Sequence, residues 1–271
     1  MRRCLVIFAL LFSIAAAGQQ KTVLPMAREY PFQAGEQMEF SLLYKWGAVV
    51  TEVGTASLQL DSLSYQGVPT YHTGLYVKSA PFFDIFFKMR EQFDSWFAAQ
   101  DLRPFKFTRD TYEGGYTATN LYIYDWEQEV IHADVNFGGR GEEHYEIPLK
   151  NGVQDLPSLV YALRAADFYR MEVNKAYPLS FAIDEAVFNI HLTYKGIETV
   201  KVRRLGKTRA HHISCSVVQG AMFEGNQELQ MWLSADDARI LVGLMAPLRV
   251  GGVWAWVKST KDLKHPFEVQ K

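Results

Sequence analysis

Met38-Glu39-Phe40-Ser41-Leu42-Leu43-Tyr44 decides the fold class, because apolar side chains occupy every second position from Met38 to Tyr44. This period of two places apolar residues on one face of a β-strand and polar residues on the other. The alternation returns in Val49–Asp61 and, after a turn at Gln66-Gly67, in Thr70–Lys78. Successive alternating segments separated by turn residues predict a β-meander.

Alternating segments continue along most of the chain. The further strand candidates are Leu102–Tyr112, Tyr116–Asp125, Glu129–Phe137, Glu142–Ile147, Leu179–Ile183, Ala186–Tyr194, Glu198–Val202, His211–Gln219, Gln227–Ser234, Ile240–Leu244 and Gly252–Asp262. A sheet of about a dozen strands curls or closes rather than staying flat. The sequence therefore predicts a mainly β fold with a large curved antiparallel sheet, a half-barrel or barrel-like structure, and one main helix.

The predicted helix begins at Asp155 and ends at about Tyr169. Asp155 is suited to capping the free backbone N–H groups, and Pro157 is tolerated in the first turn. Its apolar positions recur at helical spacing and are expected to pack across the concave side of the sheet: Leu156, Leu159, Val160 and Leu163. The opposite side is predicted to carry the charged residues Arg164, Asp167 and Arg170.

The N-terminal residues have the pattern of a secretory signal. Arg2 and Arg3 precede an apolar stretch of about ten residues, and small residues end at Ala17. We therefore predict a signal peptide over 1–17, a flexible leader over 18–30 and a single β-rich domain over 31–271. Cys4 precedes the apolar stretch and would leave with the signal, so a lipoprotein is not expected. The mature protein is predicted to be exported, periplasmic or otherwise extracytoplasmic, and soluble.

Composition and charge exclude several classes of partner. The chain has 28 Lys and Arg against 30 Asp and Glu, and no basic run that would indicate a nucleic-acid partner. Cys215 is the one cysteine left after the signal, so no internal disulfide is expected. Pro247 and Arg249 interrupt the apolar stretch 241–257, and no transmembrane span is predicted in the mature chain.

Candidate catalytic and metal-binding motifs do not form a recognisable set, and no catalytic residue, metal site or cofactor is predicted. His211 and His212 would point to opposite faces of a strand, and Cys215 would lie about 13 Å from His211. Ser158 lies in a predicted helix turn rather than in a nucleophile elbow. An enzyme would have to show a cluster of titratable residues with altered pKa values in a cleft.

Pro81-Phe82-Phe83-Asp84-Ile85-Phe86-Phe87-Lys88-Met89 is the most apolar segment of the predicted domain. As a helix, it would have a single polar stripe formed by Asp84 and Lys88. Such a segment is buried as a plug in the curved sheet, covers an apolar cavity as a lid, or contacts a membrane. The residues predicted to contact an apolar ligand are Phe82, Phe83, Phe86 and Phe87 as the lid, with Trp254 and Trp256 as part of the wall.

Four segments resemble the domain-of-unknown-function family 3108 of exported bacterial proteins. They are Gly35-Glu36 before a strand, Phe93–Phe97 leading to Leu102-Arg103-Pro104, Asp155–Arg164, and Met231–Asp237 followed by Arg239-Ile240. Leu241 stands where the family often has proline. The resemblance implies an envelope protein with a large curved antiparallel sheet, similar to the half-barrels that carry lipids or lipoproteins across the periplasm. It implies no catalytic residues.

Three functional hypotheses remain open at this point, and the third is an enzyme of unknown class. The first is a non-enzymatic periplasmic or cell-envelope protein that binds or carries an apolar ligand, such as a lipid or an acyl chain, on the concave side of its sheet. The alternative is an envelope docking or assembly factor that binds another protein and has a filled core. A carrier needs an apolar cavity of roughly 300–1,000 Å³, whereas a docking protein does not.

Overall fold

One open, curved sheet of 15 strands forms most of the protein, which confirms the predicted fold class. The computed structural model describes residues 24–217, 228–248 and 250–270. The predicted signal peptide and the first residues of the predicted leader lie outside this part of the chain. None of the helices formed by the described residues is long and apolar enough to cross a membrane.

The strands run through the sheet in the order β8 to β1, followed by β15 down to β9. Neighbouring strands are antiparallel, except for the parallel pair of β9 and β10. The central pair is therefore formed by β1 and β15. The strands are β1 Gln37–Trp46, β2 Val49–Tyr65, β3 Val68–Ser79, β4 Met89–Ala98, β5 Pro104–Glu113, β6 Tyr116–Asp125, β7 Val130–Phe137, β8 Glu143–Pro148, β9 Val153–Gln154, β10 Ala176–Ile183, β11 Ala186–Val202, β12 Gly206–Val217, β13 Leu229–Ser234, β14 Leu241–Pro247 and β15 Gly252–Lys261.

The inner face of the sheet carries the core, as the period-two pattern predicts. Ala56, Leu58 and Leu60 of β2 are buried there, in register with Phe40 and Met38 of β1. Three apolar clusters fill the inside of the curved sheet, one against the central strands and one toward each end of the strand order. Burial of apolar surface in these clusters is the main term that stabilises the fold.

Helix α1 (Pro81–Asp84) connects β3 to β4, and helix α2 (Leu156–Arg164) follows β9. The side chain of Asp155 accepts a hydrogen bond from the backbone N–H of Ser158, and the hydroxyl of Ser158 accepts one from the backbone N–H of Asp155. This reciprocal capping box fixes the start of α2 where the sequence predicts it. The helix packs against β3, β4 and β10, between the two arms of the curved sheet.

The predicted end of α2 at Tyr169 is wrong, because the helix ends at Arg164. The next residues bond to the segment before β1 instead. Ala27 N–H donates to the carbonyl of Ala165, and Asp167 N–H donates to the carbonyl of Pro25. A 3-10 helix at Phe168–Arg170 follows. This competing backbone pairing also ties down residues 25–27 of the predicted leader.

Arg164 was expected on the polar side of α2, and this expectation is also wrong. Its guanidinium is fully buried and forms an ion pair with Glu36. It also donates to the backbone carbonyls of Ala238 and Arg239. Because the end of α2 lies under the connection between β13 and β14, the position that faces solvent in an isolated helix faces the core here.

Side chains connect the two arms of the open sheet where no backbone ladder joins them. Arg109 of β5 forms an ion pair of 2.7 Å with Asp184, which lies in the turn between β10 and β11. The hydroxyl of Tyr122 of β6 donates to the backbone carbonyl of Asp184. We call this set of contacts the seam. It draws the arms of the sheet together into a barrel-like structure.

Candidate functional site

One end of the sheet collects exposed apolar side chains from three neighbouring connections. Trp46 and Val49 close the turn between β1 and β2. The β3–β4 connection lies at the same end of the sheet, where Ala80 N–H donates to the carbonyl of Val53 in β2. The β14–β15 connection also lies at this end, where the Tyr44 hydroxyl donates to the carbonyl of Val250.

We call the exposed apolar side chains at this end the apolar rim. Their exposed fractions range from 54% to 77%, and they are Trp46, Val49, Val50, Phe82, Ile85, Phe86 and Val250. Turns and connections in a soluble domain are normally polar. Exposed apolar side chains grouped in this way indicate a binding surface for something apolar.

The segment 81–88 is exposed at this rim and does not plug the sheet. Proline at the first helical position favours the single turn of α1. The ring of Phe82 packs edge-on against Phe83 at 5.4 Å and Phe86 at 5.7 Å between ring centroids. Phe83 and Phe87 are half-buried, and the Phe87 ring lies over Gly114, where a Cβ atom would overlap it.

The only acid of this segment is neutralised within the structure. Both carboxylate oxygens of Asp84 accept hydrogen bonds from the guanidinium of Arg90, at 3.0 and 2.6 Å. The Ser79 hydroxyl also donates to Asp84. These hydrogen bonds, with that from Arg90 first, lower the pKa of Asp84 to about 2. The segment thus presents no unpaired negative charge, while its own Lys88 and Lys45 at the end of β1 are exposed.

A buried polar network lies on the inner face next to the rim. The guanidinium of Arg109 donates to the Thr111 hydroxyl at 2.8 Å, and that hydroxyl donates to Glu91 at 2.6 Å. Glu113 lies beside Glu91 on the neighbouring strand. Burial raises the pKa of both glutamates. The part of the inner face formed by β4 and β5 next to segment 81–88 is therefore polar.

This network partly meets the condition set for an enzyme, since its titratable groups have altered pKa values. Burial raises the pKa of Asp184 to about 6, although the neighbouring Arg109 lowers it. However, the side chains are closed off from solvent, with exposed fractions of 3% for Glu91 and 4% for Glu113. A substrate could not reach these carboxyl groups in this conformation.

Trp254 and Trp256 lie away from the four phenylalanines, on β15. Trp256 is paired with Ser41 and Gly243, so it points to the face opposite to the buried side chains of Phe40 and Leu42. It stacks on Trp232 and Trp254, at 5.5 and 5.9 Å between ring centroids. The ring contacts of the described residues join Trp254 and Trp256 to Trp232, and they join Phe82 to Phe83 and Phe86.

A concavity of about 530 Å³ crosses strands β1 to β5. Its volume falls in the range expected for a ligand site, but most of its lining residues are polar or charged. They include Glu39, Lys78, Arg90, Gln92, Asp110 and Lys258. It is not the apolar cavity that a carrier of acyl chains needs.

The other candidate residues from the sequence lie in packed or hydrogen-bonded surroundings, namely His211, His212, Cys215 and Ser158. His211 is buried and contacts the Tyr194 hydroxyl at 2.9 Å, and burial lowers its pKa to about 4. His212 points the other way and contacts Gln230. Burial raises the pKa of the Cys215 thiol to about 12. Ser158 caps α2 and is fully buried.

Sequence reasoning missed four of the seven residues of the rim, namely Trp46, Val49, Val50 and Val250. A usable signal was present, because Trp46-Gly47-Ala48-Val49-Val50 places apolar residues around the turn of a hairpin. Position in the sheet could not be read from the sequence. Only the strand order shows that this hairpin lies next to segment 81–88.

Comparisons with known proteins give a family and a related fold. A family described as "Protein of unknown function (DUF3108)" matches residues 39–255. No protein with a curated description matches the chain. A crystal structure of a beta-barrel-like protein of the domain of unknown function DUF1849 from Brucella abortus is similar, with a TM-score of 0.54 and 9% sequence identity. The similarity covers 90% of this chain and 100% of that one, and it shows the fold alone.

Proposed function

Because the chain belongs to the DUF3108 family, whose description names no activity, we propose a function from its geometry: a non-enzymatic envelope protein that binds a lipid surface through the apolar rim. The observation that carries this proposal is the exposure of Phe82 in α1 and of Ile85 and Phe86 in the turn after it, at the same end of the sheet as the exposed apolar turn Trp46–Val50. The predicted signal peptide supports a location outside the cytoplasm.

The charged side chains at the rim are compatible with binding to a surface of anionic lipids. Asp84 is paired with Arg90, so inserting the segment does not bury an unpaired carboxylate. Lys45 and Lys88 are exposed beside the apolar side chains and can approach lipid phosphates. Aromatic residues that insert into the interface, flanked by lysine, are the common pattern of interfacial membrane binding.

The free energy expected from inserting the rim side chains into lipid corresponds to reversible binding. Full burial of a Val, Ile or Phe side chain is worth about 1.5–3 kcal/mol. Partial insertion of Phe82, Ile85 and Phe86 supplies on the order of 5 kcal/mol, which corresponds to a Kd on the order of 10⁻⁴ M. Trp46 and its neighbours would add to this affinity, so the protein can bind and leave a membrane.

The structure gives less support to a ligand held on the concave side. Three apolar clusters occupy the inside of the sheet, and the inner face next to segment 81–88 carries Glu91, Thr111 and Glu113. A docking or assembly role is the second candidate, because a filled core and an exposed apolar rim would also suit a protein partner with an apolar groove.

Flotation with vesicles of phosphatidylethanolamine and phosphatidylglycerol tests the proposal. The mature protein should float with the vesicles, and Phe82→Ser combined with Phe86→Ser should weaken binding at least tenfold. Tyr169→Ser is the matched control, since Tyr169 is 78% exposed but lies in the 3-10 helix after α2. Urea unfolding of each variant should stay within about 0.5 kcal/mol of wild type, as expected for surface positions.

Absence of flotation by the wild type, or equal flotation by the double variant, would contradict lipid binding through the rim. In that case, crosslinking from position 86 to an envelope protein would support the docking alternative. Uptake of a fluorescent fatty acid that is unchanged in the double variant would instead favour a ligand on the concave side.

A further inference from the structure

Strands β7 and β8 bring two histidines and two carboxylates together on one face. His132 is paired with Glu146, and Asp134 is paired with His144. Side chains directly opposite each other on adjacent antiparallel strands share a face. One ligand atom each from His132, His144 and Glu146 lie within 4.8 Å of one another. The imidazole rings of the two histidines are nearly parallel, with 6.1 Å between their centroids.

Asp134 orients one of these histidines. Nδ1 of His144 lies 2.7 Å from Oδ1 of Asp134. Because the carboxylate accepts, Nδ1 must carry the proton, and the lone pair of Nε2 is left free for a metal ion. Histidine ligands usually donate their other N–H to a carboxylate in this way, which fixes the ring and raises its basicity.

From this arrangement we propose that His132, His144 and Glu146 bind one divalent transition-metal ion, with Zn²⁺ as the best match. Two imidazoles and one carboxylate are a known ligand set for zinc, and a fourth position would be left for water or another ligand. Asp134 acts as a positioning residue rather than a ligand. The proposal is independent of lipid binding, since β7 and β8 are separate from the connections that form the rim.

The required movement is small. Tetrahedral zinc with bonds of about 2.1 Å holds its ligand atoms about 3.4 Å apart. The present separations of up to 4.8 Å can close by side-chain rotation, because the side chains of His144 and Glu146 are 56% and 68% exposed.

The site would also stabilise an edge of the sheet. β8 is the outermost strand on its side of the sheet, and Ile147 is its only buried residue. A metal ion joining β7 to β8 would hold the edge strand in place. Any ligand that binds only the folded protein raises its melting temperature.

Calorimetric titration of untagged mature protein with ZnCl₂ tests the site. We expect one Zn²⁺ per chain and a higher melting temperature with zinc. His132→Ala and His144→Ala should each weaken binding at least tenfold, and His144→Gln gives a second variant of similar volume. His265→Ala, which removes a histidine from the C-terminal segment, should bind as wild type does. Asp134→Asn should weaken binding about 10–100-fold without changing the stoichiometry.

Lack of binding at 100 µM ZnCl₂ would overturn the proposal, as would binding that survives both histidine substitutions. X-ray absorption spectroscopy of the zinc-loaded protein identifies the ligand atoms of the ion, which the binding affinity does not. Two nitrogen ligands from imidazole at about 2.0–2.1 Å would support the site, and a shell of oxygen alone would contradict it.

Discussion

The guanidinium of Arg164 and the carboxylate of Glu36 form an ion pair in which neither side chain has exposed surface. Phe32 and Tyr161 flank the guanidinium, each with 5.3 Å between its ring centroid and the guanidinium carbon. Backbone carbonyls of Ala238 and Arg239 accept two more of its N–H groups. This contact joins the end of α2 to the residue before β1 and to the β13–β14 connection.

Removal of one partner of this pair should destabilise the protein strongly. Glu36→Ala leaves a buried guanidinium without its counter-charge, and the expected loss is about 3–5 kcal/mol in the free energy of unfolding. Urea unfolding measures it. Glu39→Ala, at an exposed position of β1, is the control and should change stability by less than about 1 kcal/mol. Equal losses in the two variants would show that the ion pair has no special role.

Arg90 should affect lipid binding without belonging to the apolar surface. Arg90→Ala leaves Asp84 as an unpaired carboxylate at the rim, and its negative charge then opposes insertion among anionic lipids. We expect several-fold weaker flotation than wild type. The double variant Arg90→Ala with Asp84→Asn should recover most of the binding. Failure of Asp84→Asn to restore flotation would mean that Arg90 acts through something other than this charge.

Four buried carboxyl groups should make stability fall as pH rises from about 4 to 8, although His211, whose pKa burial lowers to about 4, acts in the opposite direction between about pH 4 and 6.5. Burial raises the pKa of Asp155 and of Asp184 to about 6, and also raises those of Glu91 and Glu113. Above about pH 4, the carboxyl groups of the unfolded chain lose their protons, whereas the folded protein still holds protons on these four groups. Deprotonation therefore favours unfolding. These four groups stabilise the fold at low pH and lose that contribution as pH rises through their folded pKa values.

Glu91→Gln isolates this effect, because an amide stays neutral. The variant should be more stable than wild type at pH 8 by about 1–3 kcal/mol, with a smaller difference at pH 5. Urea midpoints at pH 5, 6, 7 and 8 measure the slope. Glu127→Gln, in an exposed turn, should follow the wild-type curve. A difference that does not depend on pH would show that Glu91 ionises normally in the folded protein.

Gly243 makes room for a tryptophan ring. A Cβ atom at this position would overlap the indole of Trp256, so Gly243→Ala must displace that ring from its stack with Trp232. We expect a loss of about 1–3 kcal/mol and a changed near-ultraviolet circular dichroism spectrum. Adding Gly243→Ala to Trp256→Ala should cost much less, since the clash is then gone. Additive losses would indicate that the two residues do not interact.

Period-two patterns predicted most of the strands, because each strand has one face toward the core. β1 and β2 show this well, with Phe40 and Ala56 paired on the buried face. The start of α2 was equally predictable, since the Asp155–Ser158 capping box is a local interaction. Its end was not, because the backbone groups that compete for residues 165 and 167 come from residues 25–27, far away in the sequence.

Features that depend on strand order could not be predicted. The rim needs Trp46 and Phe82 on adjacent connections, and the Glu91–Glu113 pair needs β4 beside β5 in a given register. The phenylalanines of segment 81–88 were identified as a candidate binding element from composition alone. Their exposure could not be predicted, because the sequence of an apolar segment does not show whether other parts of the protein cover it. Ligand contact by Trp254 and Trp256 stays a prediction.

The pairing of β1 with β15 has a consequence for biogenesis. Ser259 of β15 donates to Glu39 of β1 across 220 residues, so the middle of the sheet joins its first strand to its last. During synthesis, β1 to β8 can form a meander early, but β1 keeps an unpaired edge until β15 has emerged. Contacts of such long range slow folding and leave exposed edges that favour aggregation. A chaperone that shields β1 until synthesis is complete would therefore matter more for this protein than for a meander closed by neighbouring strands.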